Sequence, residues 1–447
     1  MNKTVDIVGA GLAGSEAALQ LAERGIHVRL HEMRPVVETD VHKTDMCAEL
    51  VCSNSLKSTK PESAAGMLKR ELSTLGSHLI DAAQEARVDA GGALAVDRDV
   101  FAECITKKIK NHENIEFIVE EVVDPTSFTD SDACILASGP LTSDDLATRI
   151  QEMTGSDNMA FFDAAAPIVM AESLNMDVLF RQSRYEEDTI GDYLNAPFNK
   201  EQYETFIEEL VNADRVVKKD FETKDLFQAC QPIEEIARKG VDAPRFGTLK
   251  PVGLTDPATG RRPWAALQLR AENSSCTAFN LVGFQTNLTF PEQRRVFSMI
   301  PGLENAEFAR YGVMHRNTFI QAPQLLDSHL RLKGSDEYPL YVAGQLAGTE
   351  GYCEAIASGL MCALNVYGML EGIEVPLMPE DTAFGSLLAY ATNPETQDYQ
   401  PMHVNFGIVP PLEQRVRNKS QRYAAYAERG VEALESYQAE LKEVGLL

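Results

Sequence analysis

Apolar and polar positions change period twice within the first forty residues. Val5-Asp6-Ile7-Val8 is a short, mostly β-branched run, stopped by Gly9-Ala10-Gly11-Leu12-Ala13-Gly14. Beyond it Ala17, Ala18, Leu21 and Ala22 recur at helical spacing, and that pattern closes at Arg24-Gly25, a basic last turn followed by a C-terminal glycine. A second apolar run, Ile26–Leu30, ends at His31-Glu32. Strand, glycine turn, helix and strand make a βαβ unit, and Glu32 stands 18 residues beyond Gly14.

Each position in that unit has a mechanical use. Gly9 permits the tight turn, and Gly11, with Ala10, Leu12 and Ala13 around it, lets backbone approach a pyrophosphate at the positive end of a helix. Gly14 allows helix and strand to pack closely, and Glu32 accepts from a ribose hydroxyl. The pattern predicts a dinucleotide site of the Rossmann type. No second GxG fingerprint occurs in the chain. Two later apolar runs end in glycine turns instead: Ala133–Leu136 before Ala137-Ser138-Gly139-Pro140, and Pro339–Val342 before Ala343-Gly344-Gln345-Leu346-Ala347-Gly348. The second leads into a helical pattern over Ala355–Leu370. Three glycine turns in this order favour FAD over NAD as the bound dinucleotide.

Between these blocks the character changes. The stretch Glu186–Asp225 holds 12 acids against 5 bases, and Asn199 is placed to cap a helix with Tyr203, Phe206, Ile207, Leu210 and Val211 on one face. From Phe246 to Phe290 the chain turns strand-like and rich in turns. The predicted architecture is α/β: a Rossmann-type, glutathione-reductase-like FAD-binding domain (1–170 and 310–447) with an inserted α+β substrate domain (171–309). A C-terminal helix occupies the tail, with Arg415, Arg417, Lys419 and Arg422 crowded at its start.

Composition narrows the class. The chain has 447 residues, 44% of them hydrophobic and 24% charged, which is globular and excludes a disordered or fibrous protein. The longest charge-free stretch, Asn273–Pro291, is interrupted by Asn, Gln, Ser and Thr, so no membrane span is expected. The eight cysteines, with no secretory signal ahead of them, read as reduced thiols of a cytoplasmic protein. With 41 bases against 67 acids the net charge is −26, which as a whole-chain number argues against nucleic acid, DNA above all. Local clustering weakens that argument, since cations pair at 261–262, 294–295 and 415–422.

Two cysteines stand in polar company. Cys52 lies in Glu49-Leu50-Val51-Cys52-Ser53-Asn54-Ser55-Leu56-Lys57, where hydroxyls, an amide and a nearby cation favour a thiolate. Cys230 lies in Gln228-Ala229-Cys230-Gln231-Pro232-Ile233-Glu234, just before a helix start. Cys104, Cys134 and Cys362 fall in apolar runs and read as core. Arg294-Arg295, Arg310 and His315-Arg316 are candidates for holding an anionic ligand, against the plainer reading of a salt-bridged surface. Trp264, the single tryptophan, reads as packing or as a stacking platform. No metal-binding spacing is present, and no metal is expected.

Taken together, VDIVGAGLAGSEAA, AELVCSNSLKS, QACQPIEEIARKG, GFQTNLTFPEQRRVF, RYGVMHRNTFI and MHVNFGIVPPL resemble the bacterial folate- and FAD-dependent tRNA (uracil-5-)-methyltransferases, from residue 5 to residue 411. The one departure noted is Ser138, where that family usually shows Thr. The resemblance implies methylation of C5 of the T-loop uridine, tRNA position 54, to 5-methyluridine, with the carbon from 5,10-methylenetetrahydrofolate and electrons from NAD(P)H through FAD. It implies Cys52 as the nucleophile that adds to C6 and Cys230 as the partner that takes the C5 proton, a direction that an activated thiol can also reverse. Flavin-site positions carried over are Gly9 to Gly14, Glu32, Gly139, Gly344 and Gly348. A related enzyme acting on ribosomal RNA and a plain FAD oxidoreductase are the alternatives.

Overall fold

The computed structural model of the chain describes residues 3–39, 41–128, 130–155, 159–184, 191–216, 231–396 and 399–447. The first βαβ unit forms as the periodicity predicts: strand Thr4–Val8, helix Leu12–Glu23 and strand His27–Glu32. These strands lie in a five-stranded parallel sheet whose spatial order is Leu340–Val342, Ala133–Leu136, Thr4–Val8, His27–Glu32 and Ile115–Val119. All-parallel strands are covered on both faces, and accordingly Val5, Ile7, Val28, Leu30, Cys134, Ile135 and Val342 are buried. The two later glycine turns therefore leave the neighbouring strand Ala133–Leu136 and the strand beyond it, Leu340–Val342, at the same carboxyl edge.

Close packing fixes the two helices that frame this edge. A Cβ added at Gly14 would lie 1.8 Å from the Gly9 carbonyl oxygen, and one at Gly359 would lie 2.2 Å from the Ala13 carbonyl oxygen. The second contact joins the helix Leu12–Glu23 to the long helix Tyr352–Glu371. That long helix is apolar and of membrane-spanning length, yet 78% of its apolar window is buried inside the protein, where it serves as a core helix.

A second sheet, of six antiparallel strands, runs in the order Phe180–Arg181, Leu194–Phe198, Ala265–Ala271, Ala278–Leu281, Ile168–Met170 and Phe308–Arg310. It draws strands from 168 to 310, a little wider than the stretch expected to hold the insert. The helix Lys200–Asn212 packs on it and carries the expected Asn199 cap, completed as a capping box by Gln202. Its Tyr203, Phe206, Ile207 and Leu210 are buried, with Phe206 5.4 Å from Phe198 and 6.2 Å from Phe284 between ring centroids. Trp264 belongs to this layer as packing, with the Arg245 guanidinium 3.8 Å from its ring centroid. The C-terminal helix spans Lys419–Glu443, so Arg415 and Arg417 precede it rather than sit in its first turn.

Two consequences are measurable. Gly359→Ala should separate the two framing helices and cost about 1–3 kcal/mol in denaturant unfolding. Glu71 is fully buried beneath helix Ala383–Thr392, where its carboxylate accepts from the Ala383 and Phe384 N–H groups at 2.7 and 2.9 Å. Burial pushes its carboxyl up to about 7, from 4.5, against those hydrogen bonds. The folded state therefore holds a proton that the unfolded state has released, and this contribution to stability is lost as pH rises between those values. Thermal midpoints measured across that range should fall less steeply for Glu71→Gln than for the unaltered protein.

Candidate active site

A cleft opens at the carboxyl edge of the parallel sheet. Gly9, Gly11, Leu12, Ala13, Glu32, Gly139 and Gly344 all line it, as does Cys52. Gly9 has φ 103° and a Cβ there would lie 2.6 Å from the Ala137 carbonyl oxygen, so the turn requires glycine. At Gly11 an added Cβ would meet nothing within 4 Å, so the space above the helix start is open to a ligand. The helix Leu12–Glu23 has no side-chain cap, which leaves its first N–H groups for phosphate oxygens.

Three of the expected positions work indirectly. Gly14 is a packing residue, as described. The Ala10 N–H donates to Glu32 Oε2 at 2.9 Å, so Ala10 sets the acid in place. Gly348, in the left-handed region at φ 80°, makes room for Tyr399, whose hydroxyl oxygen would lie 1.9 Å from a Cβ there. Glu32 itself is shared: Oε1 accepts from Arg34 Nε at 2.8 Å and from the Arg34 N–H at 3.1 Å. Burial opposes its charge, and Arg34 with the Ala10 N–H outweighs burial, holding the carboxyl below its ordinary value. An ionised acceptor thus faces the cleft where a ribose hydroxyl would donate. Among the buried polar atoms that line the cleft, Asn317 Oδ1 and Gln345 Nε2 have no partner among the described residues. An acceptor and a donor left open in the same cavity fit a polar ring edge such as the isoalloxazine of FAD.

Cys52 is fixed by backbone contacts from distant parts of the chain. The Tyr352 hydroxyl accepts from the Cys52 and Ser53 N–H groups at 2.9 and 3.1 Å. Arg98 donates to the Leu50 and Cys52 carbonyls at 2.8 and 3.2 Å, and Arg310 donates to the Val51 carbonyl. Arg270 donates to Asn54 Oδ1 at 2.8 Å and Ser53 Oγ at 2.9 Å, while fully buried Asn54 donates to the Val96 and Ala271 carbonyls. Lys57, the cation expected to serve the thiolate, turns away to Glu354 at 3.2 Å. Arg98 and Arg310 are the cations whose charge couples to Cys52. Burial opposes the Arg98 charge, and its ion pair with Glu272 at 2.8 Å restores it. Burial, with the Cys52 charge, pushes the Tyr352 phenol above its ordinary value, so Tyr352 stays protonated.

Cys230 lies outside the described residues. The helix after it, Ile233–Arg238, is anchored by Glu234, whose buried carboxylate accepts from the Asn287 N–H at 2.7 Å and Thr286 Oγ1 at 3.0 Å. The side chains of His315 and Arg316 are likewise outside the description. Arg295 is committed to Glu292 and Glu209, and Arg294 to the Tyr311 hydroxyl. Cys134 and Cys362 are core, as expected, whereas Cys104 is half-buried beside Glu85. Arg98, Arg270, Tyr352, Asn317 and Gln345 escaped sequence reasoning. Of these only Tyr352 and Gln345 carried a local signal, flanking the third glycine turn.

Residues 4–374 match the glucose inhibited division protein A family. The methylenetetrahydrofolate–tRNA-(uracil-5-)-methyltransferase TrmFO of Pelotomaculum thermopropionicum is 49% identical over 98% of this chain and 99% of its own length. The protein of the same name from Fusobacterium nucleatum is 51% identical over 98% of this chain and 99% of its own. Aquifex aeolicus GidA superposes on 100% of this chain, and on 74% of its own, with a TM-score of 0.70 at 17% identity, a likeness of fold. Fold and cleft define a Rossmann-type dinucleotide-binding protein with a braced thiol lining its cofactor cleft. The chain belongs to the glucose inhibited division protein A family and, with the relatives above, to the methylenetetrahydrofolate–tRNA-(uracil-5-)-methyltransferases.

The Glu32–Arg34 pair gives a direct check of the cradle. Glu32→Ala should leave buried Arg34 short of a partner and cost about 3 kcal/mol in thermal unfolding. The purified variant should also carry markedly less bound dinucleotide per chain, read from its absorbance spectrum.

Proposed function

We infer that this protein methylates C5 of the T-loop uridine of tRNA, taking the carbon from 5,10-methylenetetrahydrofolate and electrons from NAD(P)H with FAD held in the cleft. The carrying observation is that Cys52, on a loop clamped by Arg98, Arg270, Arg310 and Tyr352, opens into the same cleft as the dinucleotide cradle. C5 of uracil is a poor nucleophile until a thiolate adds to C6 and moves electron density to C5. A fixed backbone keeps the Cys52 sulfur aimed into the cleft. The protonated Tyr352 hydroxyl, both lone pairs taken by N–H donors, has only its proton left to offer into the cleft. FAD, when bound, supplies hydride chemistry to complete the methyl group.

The glycine turns and Glu32 hold the FAD pyrophosphate and ribose, Asn317 and Gln345 its ring end, and Cys230 takes the C5 proton. The six-stranded sheet forms the far wall of the uridine site, since it contributes Arg270 and Arg310. The printed names of the relatives favour tRNA over ribosomal RNA. A plain FAD oxidoreductase would have no use for the braced thiol. The free state of the seven described cysteines agrees with a cytoplasmic setting.

Incubation with labelled methylenetetrahydrofolate, NADPH and bulk tRNA should place label in tRNA, and Cys52→Ala should reduce this at least about 10³-fold. RNA carrying 5-fluorouridine in the T-loop should trap a covalent complex with the unaltered protein and with Cys230→Ala, but not with Cys52→Ala. The opposite pattern would exchange the two roles, and absence of label in tRNA would remove methyl transfer altogether.

A further inference from the structure

The tail has a feature that the methylation chemistry leaves unused. Between Pro411 and Gly430 five cations, Arg415, Arg417, Lys419, Arg422 and Arg429, stand against two acids, in a chain whose net charge is −26. Arg415, Arg417 and Lys419 are exposed and make neither an ion pair nor a hydrogen bond among the described residues. Arg415 and Arg417 line a groove formed by the segment 411–417 with Arg422 and Tyr426, and Lys419 follows that segment at the start of the C-terminal helix.

The groove is built. Arg429 donates to the Pro410 and Pro411 carbonyls and Arg422 donates to the Val416 carbonyl at 3.3 Å, which ties the segment to the C-terminal helix. Beneath it Phe406 lies 4.4 Å from Tyr423 and 5.1 Å from Tyr426 between ring centroids, and Lys419 Nζ stands 5.4 Å from the Tyr423 ring. The same strap borders the cleft. Met402 pairs with Gly348 and Glu350 through two backbone hydrogen bonds of 3.0 Å, and the Val404 N–H donates to Glu354. Phe406 follows Met402 by four residues, so the aromatic floor begins within about 14 Å of the cleft's lip.

We propose that this groove is a docking surface for the sugar–phosphate backbone of the RNA whose uridine enters the cleft, and this rests on the reading of an RNA substrate above. Unpaired, exposed guanidinium and ammonium groups on a fixed scaffold suit phosphate, and they offset the repulsion that the rest of the acidic chain exerts on RNA. A membrane is the poorer match. The apolar face of the helix, including Tyr426, Leu434, Tyr437 and Leu441, is buried in the fold and is not available to enter lipid.

The test uses the full-length holoenzyme with Arg415, Arg417 and Lys419 all replaced by Gln, with tRNA binding measured over a series of salt concentrations. The variant should bind about 10- to 100-fold more weakly, and the slope of log K against log[salt] should flatten by about 2, for three lost phosphate contacts. KM for tRNA should rise with little change in kcat, RNA-independent NADPH oxidation should be unchanged, and Arg415→Lys with Arg417→Lys should bind as the unaltered protein does. Unaltered affinity and slope in the Gln variant, while the parent still methylates tRNA, would overturn the docking surface alone. Failure of the parent to bind or methylate tRNA would overturn both readings. Loss of binding to anionic phosphatidylglycerol vesicles with no loss of tRNA affinity would reassign the surface to lipid.

Discussion

The architecture turns on how closely the backbone at Ala13-Gly14 is approached from two sides. Gly14 rests on the carbonyl of Gly9, and Gly359 rests on the carbonyl of Ala13. Two backbone-to-backbone contacts at adjacent residues leave the helix Leu12–Glu23 no freedom to slide, and its N-terminus is where a pyrophosphate would sit. Gly344 adds a third approach, a Cβ there lying 3.2 Å from the Ala13 side chain. The two ends of the cofactor cleft are thus referenced to a single point in the chain.

A second constraint is electrostatic. Several ionised groups are buried around the cleft, and each is tolerated because a partner lies within hydrogen-bond distance: Glu32 with Arg34, Arg98 with Glu272. The guanidinium groups of Arg98 and Arg310 also reach backbone carbonyls of the Cys52 loop, so the charges that hold the loop's shape are the ones next to its sulfur. Tyr352 adds a link of a different kind. It is the first residue of the long helix that follows the third glycine turn, and its hydroxyl accepts from the Cys52 N–H itself.

How much of this was legible beforehand depends on range. The βαβ unit, the three glycine turns and the Asn199-capped helix were readable because each is set by residues within about one element's length, through periodicity, caps and φ requirements. The placement of Cys52 in the cleft was legible as chemistry but not as geometry. Its braces come from positions 98, 270, 310 and 352; Arg310 stood out as a cation and Tyr352 follows the third glycine turn, but nothing local ties any of the four to Cys52. The assignment of Lys57 to the thiolate failed for the same reason, because Glu354, close in space though far in sequence, claims it. Gly14 was read as a packing glycine and is one, whereas at Gly348 what excludes a side chain is Tyr399, and the pattern alone does not separate that from ligand approach.

The Arg98–Glu272 ion pair has an implication for how such a protein can be assembled and varied. Arg98 comes from the first hundred residues and Glu272 follows a central strand of the six-stranded sheet, while Asn54 is bonded to the backbone of both parts. An antiparallel unit grafted into a dinucleotide-binding chain ordinarily behaves as a detachable module. Here excision would strand a buried cation and release the loop that carries Cys52. The two sheets are therefore one inheritance, and exchange of the inserted part between relatives would succeed only when the donor brings its own acid at this position.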